Sequence, residues 1–167
     1  MARITPQNNN PLLSFRFKII FSELEDIGIY ARSIELPTID QGAIVMENGN
    51  TQMKVKGKTK WNDIQMTCYA VEKKTMRQFW KYLNELHQKV EDGTDYFAEE
   101  YKKDIQIQLL RPNDEVQSTW KLVGAFINVM NFGQMDYTTE EIVQPQITIS
   151  YDYALFVDTD SFAFSPI

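Results

Sequence analysis

At 167 residues the chain is long enough for one domain with a real core, and its 43 % hydrophobic content argues against disorder. A net charge of −6 argues against a sequence-independent nucleic-acid binder, which needs Lys and Arg side chains to displace counterions. The single cysteine, Cys68, excludes an internal disulfide framework. Neither a signal-peptide core nor an apolar run of the roughly 20 residues that span a membrane is present, so we expect a soluble protein made in a cytoplasm.

The chain is predicted to begin with an arm followed by two strands. Residues 1–11 are polar and contain two prolines, which is typical of an arm outside the core. A second strand is predicted over residues 29–36, because Pro37 cannot donate a hydrogen bond to a ladder. Before it, apolar residues alternate with polar ones, which predicts a half-buried strand with one dense apolar face. That face comprises Leu13, Phe15, Phe17, Ile19 and Phe21.

Residues 43–57 are predicted to form a hairpin where a plain connection would be expected. The dipeptide Asn48-Gly49 favours the positive φ angles of a type I′ turn, and apolar and polar residues alternate after it. The first half holds the apolar run Ile44, Val45 and Met46, whereas a plain loop would be solvated and polar. In a monomer this run would be an exposed apolar patch. A further strand is predicted over residues 64–70.

One helix is predicted, over about residues 75–91. Its apolar residues recur at spacings of three and four, which places them on one stripe of a helix. Thr75 is the predicted N-cap and Gly93 the predicted stop. We expect the stripe to face the core rather than a partner groove. It comprises Met76, Phe79, Trp80, Leu83, Leu86, His87 and Val90.

Three strands are predicted after the helix, over residues 104–111, 117–130 and 145–156. Gly124, inside the second of them, predicts a bulge or a close backbone approach. The third strand is predicted to place five residues on one face, namely Ile147, Ile149, Tyr151, Tyr153 and Leu155.

The predicted fold class is mainly β (α+β), an antiparallel β-sandwich or small barrel with one packed α-helix. We expect one domain over residues 1–167, with its β core in residues 12–156 and a short tail at residues 157–167. The absence of any repeat or linker in the sequence supports one domain rather than two.

No catalytic constellation stands out in the sequence. His87 is the only histidine, and a nucleophilic pair with Cys68 is less favoured than a core-edge histidine and a buried, inert thiol. The acidic stretches at residues 91–95 and 157–161 lack the distal glutamate of a calcium loop. The lysines of residues 54–60 alternate along a strand, which favours an exposed face over a nucleic-acid patch. We therefore predict no enzyme, and no catalytic residue, cofactor or metal site.

The order of these segments resembles the tail tube proteins of T4-like contractile-tailed bacteriophages, over roughly residues 12–156. The resemblance is carried by "LLSFRFKIIF" at residues 12–21, "RSIELP" at 32–37 and a variable hairpin at 39–69 that contains "KWNDIQMTCY". It continues with a helix, "MRQFWKYLNEL", a strand with the pattern Trp…Gly-Ala-aromatic, "WKLVGAFINVM", and a last strand, "PQITISYDYAL". Residues 1–11 and the tail match nothing in that pattern.

The resemblance implies a structural subunit of an inner tail tube. Members of this family form hexameric rings whose strands close a β-barrel around a channel, and the rings stack into a tube inside a contractile sheath. The implied partners are further copies of the chain, the sheath protein, the baseplate or tube initiator, the tape-measure protein and the tail terminator. DNA would pass through the lumen without specific binding, and the location would be the virion, after assembly in the host cytoplasm.

The resemblance further implies that the hairpin of one ring packs onto the next ring. The predicted assembly residues are Ile39, Ile44, Val45, Met46, Asn48 and Gly49. Three alternatives stay open: a tube-initiator or baseplate subunit with the same fold, a tube protein of a bacteriocin or type VI secretion system, and a monomeric β-barrel binding module. Copy number in the particle distinguishes a tube-initiator or baseplate subunit from a tube subunit. An apolar pocket in a monomer would favour the binding module.

Overall fold

The fold consists mainly of antiparallel strands. The computed structural model describes residues 12–22, 30–71, 74–84, 88–89, 94–95 and 97–158. The helices within these ranges are α1 (Thr75–Tyr82) and α2 (Ala98–Tyr101). The strands are β1 (Phe17–Phe21), β2 (Ala31–Ile34), β3 (Thr38–Asp40), β4 (Ala43–Asn48), β5 (Thr51–Lys56), β6 (Lys60–Asn62), β7 (Ile64–Cys68), β8 (Gln88–Lys89), β9 (Thr94–Asp95), β10 (Lys103–Leu110), β11 (Val116–Asn131), β12 (Gln146–Ser150) and β13 (Tyr153–Asp158).

The long strand β11 joins two layers of antiparallel strands. Its first half pairs with β10 on one side and β13 on the other, and β1 pairs with the far side of β10. Its second half pairs with β12, which is followed by β7 and β2. We call these layers sheet A (β1, β10, β11, β13) and sheet B (β11, β12, β7, β2). The antiparallel β fold class predicted from the sequence is confirmed.

Gly124 marks the point where β11 passes from one sheet to the other. The register shifts by one residue between Lys103 and Ile105 of β10, so β11 carries a bulge there. The φ of Gly124 is +64°, and a Cβ at this position would lie 2.3 Å from Oδ2 of Asp152. The bulge predicted at this glycine is therefore confirmed, and the atoms that approach Gly124 closely belong to the Asp152 side chain.

The core lies between the inward faces of the two sheets. Period-two alternation buries Ile105 and Ile107 of sheet A, and Ile64 and Met66 of sheet B. Phe79 of α1 is only 1 % exposed and joins the same cluster. The helix therefore packs on the core, as its apolar spacing predicts.

The prediction for α1 is wrong at its C-terminal end and at its N-cap. The helix ends at Tyr82, and β8 pairs with β9 where the sequence pattern continues the helix. Thr75 is the first helical residue instead of the cap: its buried hydroxyl donates to the carbonyl of Tyr69 and accepts from the N–H of Val71. Backbone pairing of β8 with β9 replaces helical hydrogen bonds at the C-terminal end, although the spacing of the apolar residues is helical. Leu86, His87, Val90 and Gly93 lie outside the described residues.

The residues that α1 buries also differ from those predicted. Phe79 and Tyr82 are buried, and the Tyr82 hydroxyl accepts a hydrogen bond from the N–H of Ile127. Trp80, predicted to face the core, is 51 % exposed and lies against Phe132 with ring centroids 6.5 Å apart. Trp80 follows the buried Phe79 and so lies about 100° further around the helix axis, at the edge of the buried stripe.

The first predicted strand begins later than its apolar pattern indicates. Leu13 and Arg16 close a turn instead, because the Arg16 N–H donates to the Leu13 carbonyl at 3.1 Å. Phe15 is consequently exposed. The reason is the partner strand: pairing of β1 with β10 starts at Phe17 and Leu109, where β10 is close to its end.

The last predicted strand is two strands, β12 and β13, with a break at Tyr151 and Asp152. The break lies beside the bulge at Gly124, so both segments stay paired with β11. It also reverses the buried face. Ala154 is buried after the break, whereas Tyr153 and Leu155, predicted to share a face with the buried Ile147 and Ile149, are exposed.

Candidate assembly surface

The residues considered for catalysis do not form a site in the described part of the chain. Cys68 is fully buried in β7, and burial raises the pKa of its thiol to about 12, so the thiol is protonated at neutral pH. His87 lies outside the described residues. Within those residues no three His, Cys, Asp or Glu side chains cluster as metal ligands.

The remaining candidate motifs lie on strand ends and on the surface. In the acidic stretches, Asp95 ends β9 and Asp158 ends β13, and residues 91–93 and 159–161 lie outside the described ranges. The lysines of residues 54–60 are exposed, as predicted. None of the described helices has the length and apolar character needed to cross a bilayer.

The predicted hairpin is the outer part of a longer arm. Next to sheet B, β3 pairs with β6, and beyond them β4 pairs with β5. Gly42 and Gly57 lie between the two ladders, and the Gly57 N–H donates to the Gly42 carbonyl at 3.3 Å. A Cβ on Gly57 would lie 3.3 Å from the Gln41 carbonyl oxygen, so the backbones approach closely at this bend. We call residues 43–56 the stacking hairpin.

All twelve strand residues of the stacking hairpin are exposed. No other part of the described chain covers either of its faces. A single two-stranded hairpin is at best marginally stable in water. The stacking hairpin therefore presents all of its strand residues to solvent within the described chain.

The register of the stacking hairpin separates its two faces. Ile44 pairs with Val55 and Met46 with Met53, so these four apolar side chains share one face. They are between 37 % and 56 % exposed. Val45 pairs with Lys54 on the opposite face, which also carries Lys56. The apolar run in the sequence is therefore divided between two faces, with Val45 apart from Ile44 and Met46.

The turn lies one residue later than predicted. Asn48 pairs with Thr51, so Gly49 and Asn50 are the central residues. Gly49 has a φ of +60°, and Asp114 is the one non-glycine residue with positive φ in the described chain. Positive φ at the first central residue alone is typical of a type II′ turn, not the predicted type I′. Ile39, in β3, is 45 % exposed and pairs with Trp61.

A second exposed surface, which the sequence reasoning missed, lies in the connection from β11 to β12. The end that leads into β12 is fixed: the Cys68 and Ala70 N–H groups donate to the Pro145 and Val143 carbonyls, both at 2.9 Å. Arg32 donates a further hydrogen bond to the Gln144 side chain. We call residues 133–142, which precede this fixed end, the acidic loop.

The acidic loop presents large apolar side chains to solvent. Met135 is 84 % exposed, Ile142 is 60 % exposed and Tyr137 projects fully. The backbone N–H and hydroxyl of Thr138 donate to Asp136 at 2.8 and 2.7 Å, and these bonds lower the pKa of the Asp136 carboxyl. The acidic loop and the residues on either side of it, from Asn131 to Gln146, border an open cavity of about 500 Å³. In the sequence, the only signal was three large apolar residues within a polar, turn-rich stretch.

The outward face of sheet B is uncharged along two strands. In β7 and β12 the positions that alternate with buried residues are all amides or hydroxyls: Gln65, Thr67, Gln146, Thr148 and Ser150. Sheet A differs, because Lys18 and Lys121 lie on its outward face, where Lys121 pairs with Asp104 at 3.0 Å.

The fold matches solved structures of contractile injection systems. A chain of the anti-feeding prophage cap (AFP tube terminating cap) superposes with a TM-score of 0.72 at 22 % identity, over 95 % of this chain and 97 % of that chain. A chain of the PVC sheath-tube complex in the extended state of an extracellular contractile injection system gives 0.71 at 21 % identity, covering 95 % and 100 %. Hcp1 from Flavobacterium johnsoniae gives 0.52 at 10 % identity, covering 85 % and 94 %.

At these identities the structural likeness concerns the fold. No curated protein sequence matches the chain. The family comparison reaches further, because it matches residues 13–154 to the family described as "T4-like virus tail tube protein gp19" and so confirms the resemblance seen in the sequence. The chain belongs to the T4-like virus tail tube protein gp19 family.

Proposed function

We propose that this tail tube protein forms hexameric rings that stack into the hollow inner tube of a contractile particle. The stacking hairpin carries the proposal. It is a folded element with four apolar side chains on one face and no cover within the described chain. Contact with a neighbouring ring would bury that face, and each fully buried Ile, Val or Met side chain contributes about 1.5–3 kcal/mol.

Exposed strand edges support closure into a ring. Among the described strands, β1 and β13 each have one neighbour in sheet A, and β2 has one neighbour in sheet B. Leu155 and Phe156 of β13 are exposed as well, and such an edge is a template for pairing with another chain. In a closed ring every free strand edge is paired with a neighbouring subunit. A head-to-tail contact that closes into a ring gives every copy the same interfaces.

The uncharged outward face of β7 and β12 is the surface best suited to line a channel for DNA, with Arg32 of β2 held at its side by the Gln144 side chain. Lys and Arg side chains would hold phosphates and slow a passing duplex. The outward positions of β7 and β12 carry neither, and they carry no carboxylate. We therefore assign the lumen to this face, with DNA passing and not bound.

The proposed role is structural, with no catalysis. The partners would be further copies of the chain, the sheath protein, the baseplate or tube initiator, the tape-measure protein and the tail terminator. The tube would be part of the virion, after assembly in the host cytoplasm.

A tube initiator, a baseplate subunit or a terminator is the second candidate. The fold alone does not separate these roles, because chains from an AFP cap and an AFP baseplate match it with TM-scores of 0.72 and 0.69. Copy number separates them. A tube subunit is present in many rings of each particle, whereas an initiator or terminator assembles once.

The experiment is electron microscopy of the purified chain at high concentration, with and without a nucleating baseplate protein. We expect rings and tubes of uniform diameter in negative stain. A protein that stays strictly monomeric under both conditions would refute the proposal.

A further inference from the structure

The stacking hairpin and the acidic loop leave sheet B at opposite ends. In the antiparallel pair β7 and β12, Ile64 faces Ile149 at one end and Thr67 faces Gln146 at the other. The arm returns through β6 directly into Ile64, at the first end. The acidic loop leads into Gln146, at the second end. Two copies placed head to tail along their strands would bring the hairpin of one to the loop of the other.

The two surfaces are complementary in charge. The stacking hairpin contains two lysines and Glu47, and Lys58 and Lys60 follow it; all five are exposed. Lys54 and Lys56 lie on the face opposite to its four apolar side chains, so the contact engages both faces of the hairpin. The acidic loop contains Asp136, Glu140 and Glu141 and no lysine or arginine, and these acids are exposed. Complementary potentials orient two surfaces and suppress wrong pairings, such as hairpin against hairpin.

The two surfaces also match in their apolar side chains. The hairpin presents Ile44, Met46, Met53 and Val55 on one face. The loop presents Met135 and Tyr137, and Met135 also borders the open cavity beside the loop. Tyr137 does not border the cavity but is fully exposed next to it in the chain, and large exposed aromatic and Met side chains are enriched among the residues that bind a partner.

We infer that the acidic loop is the receptor for the stacking hairpin of a second copy of this chain. The contact is heterologous, with one surface from each copy, so it repeats along an axis and adds rings without limit. It rests on the proposed function and deepens it, because it names the surface on which the hairpin packs.

The test exchanges charges between the two surfaces. Lys54→Glu with Lys56→Glu, and separately Glu140→Lys with Glu141→Lys, each place like charges in contact. We expect either pair to raise the critical concentration for tube growth by about tenfold or more, because repulsion replaces attraction at every contact. The four changes together restore the wild-type net charge and composition, and should return growth to near the wild-type value. Wild-type growth in the Glu140 and Glu141 variant, or no rescue in the fourfold variant, would overturn the inference.

A second measurement keeps the inference testable if the wild-type chain forms no tubes. Met53→Cys and Tyr137→Cys chains are mixed under oxidising conditions, with Cys68 inert in the core. We expect a disulfide-linked dimer that needs both variants, and none when Glu99→Cys, on α2, replaces Tyr137→Cys. A dimer without tubes would refute the proposed tube and support the inference. If neither the disulfide-linked dimer nor tubes form, both the proposed tube and the inferred contact are refuted.

Discussion

Aspartate at both Ile44 and Met46 is expected to abolish tube growth while the subunit stays folded. The two side chains lie on the same face of the stacking hairpin, and both are more than half exposed at 55 % and 53 %. Neither belongs to the core, so the far-ultraviolet circular dichroism and the melting temperature should stay close to wild type. In the stack, each would place an unpaired carboxylate in a contact that excludes water, which costs several kcal/mol per charge. Negative-stain imaging and sedimentation measure the loss of tubes.

Val45→Asp is the matched control for that variant. It adds a carboxylate to the same strand, but on the opposite face and beside Lys54. Lys54 and Lys56 share this face and belong to the inferred contact with the acidic loop, but Lys54 offsets the added charge, so we expect tube growth to be reduced less than in the double variant. If Val45→Asp is as harmful as the double variant, both faces of the hairpin are buried in the assembly. If the double variant unfolds, Ile44 and Met46 belong to the core, and the hairpin is not a free surface for stacking.

Gly124→Ala is expected to lower the free energy of unfolding by about 2 kcal/mol or more. Two causes act together: the φ of +64° is strained for alanine, and the new Cβ would meet Asp152 Oδ2 at 2.3 Å. Asp152 must then move, which disturbs its 2.8 Å ion pair with Lys102 and the break between β12 and β13. Denaturant unfolding of the isolated subunit measures the change.

Two variants separate these causes. Gly49→Ala has the same left-handed φ, at +60°, but no atom lies within 4 Å of the new Cβ, so it reports the backbone strain alone. Gly124→Ala in an Asp152→Ala background relieves the steric contact. We expect both to cost less than Gly124→Ala in the natural chain. Equal costs in all three would show that the contact with Asp152 has no energetic role.

Much of the sheet structure follows from alternation in the sequence. The buried residues of β7 and β10 alternate with polar ones, and the strand bounds are close to those predicted. The break between β12 and β13 was not predictable, because Tyr151 and Asp152 continue the alternation and the cause is the bulge at Gly124 in another strand. The end of α1 was missed for a similar reason, since pairing of β8 with β9 competes with a helical pattern.

The assembly surface was predictable only in part. An apolar run beside an Asn-Gly pair indicated an exposed hairpin, and the structure places one there. Which side chains share a face depends on the pairing register of β4 with β5. The turn at Gly49 and Asn50 gives a different register from the predicted turn at Asn48 and Gly49. The acidic loop carries no periodicity, so its exposure and its position opposite the hairpin emerge only from the pairing of β7 with β12.

The most direct test of hairpin-mediated stacking is a helical reconstruction of tubes grown from the purified chain. We predict that residues 43–56 of each subunit are seated against residues 133–142 of a subunit in the next ring, with the uncharged face of β7 and β12 toward the bore. A tube in which the hairpin stands in open solvent, or in which Lys18 and Lys121 line the bore, would contradict this account.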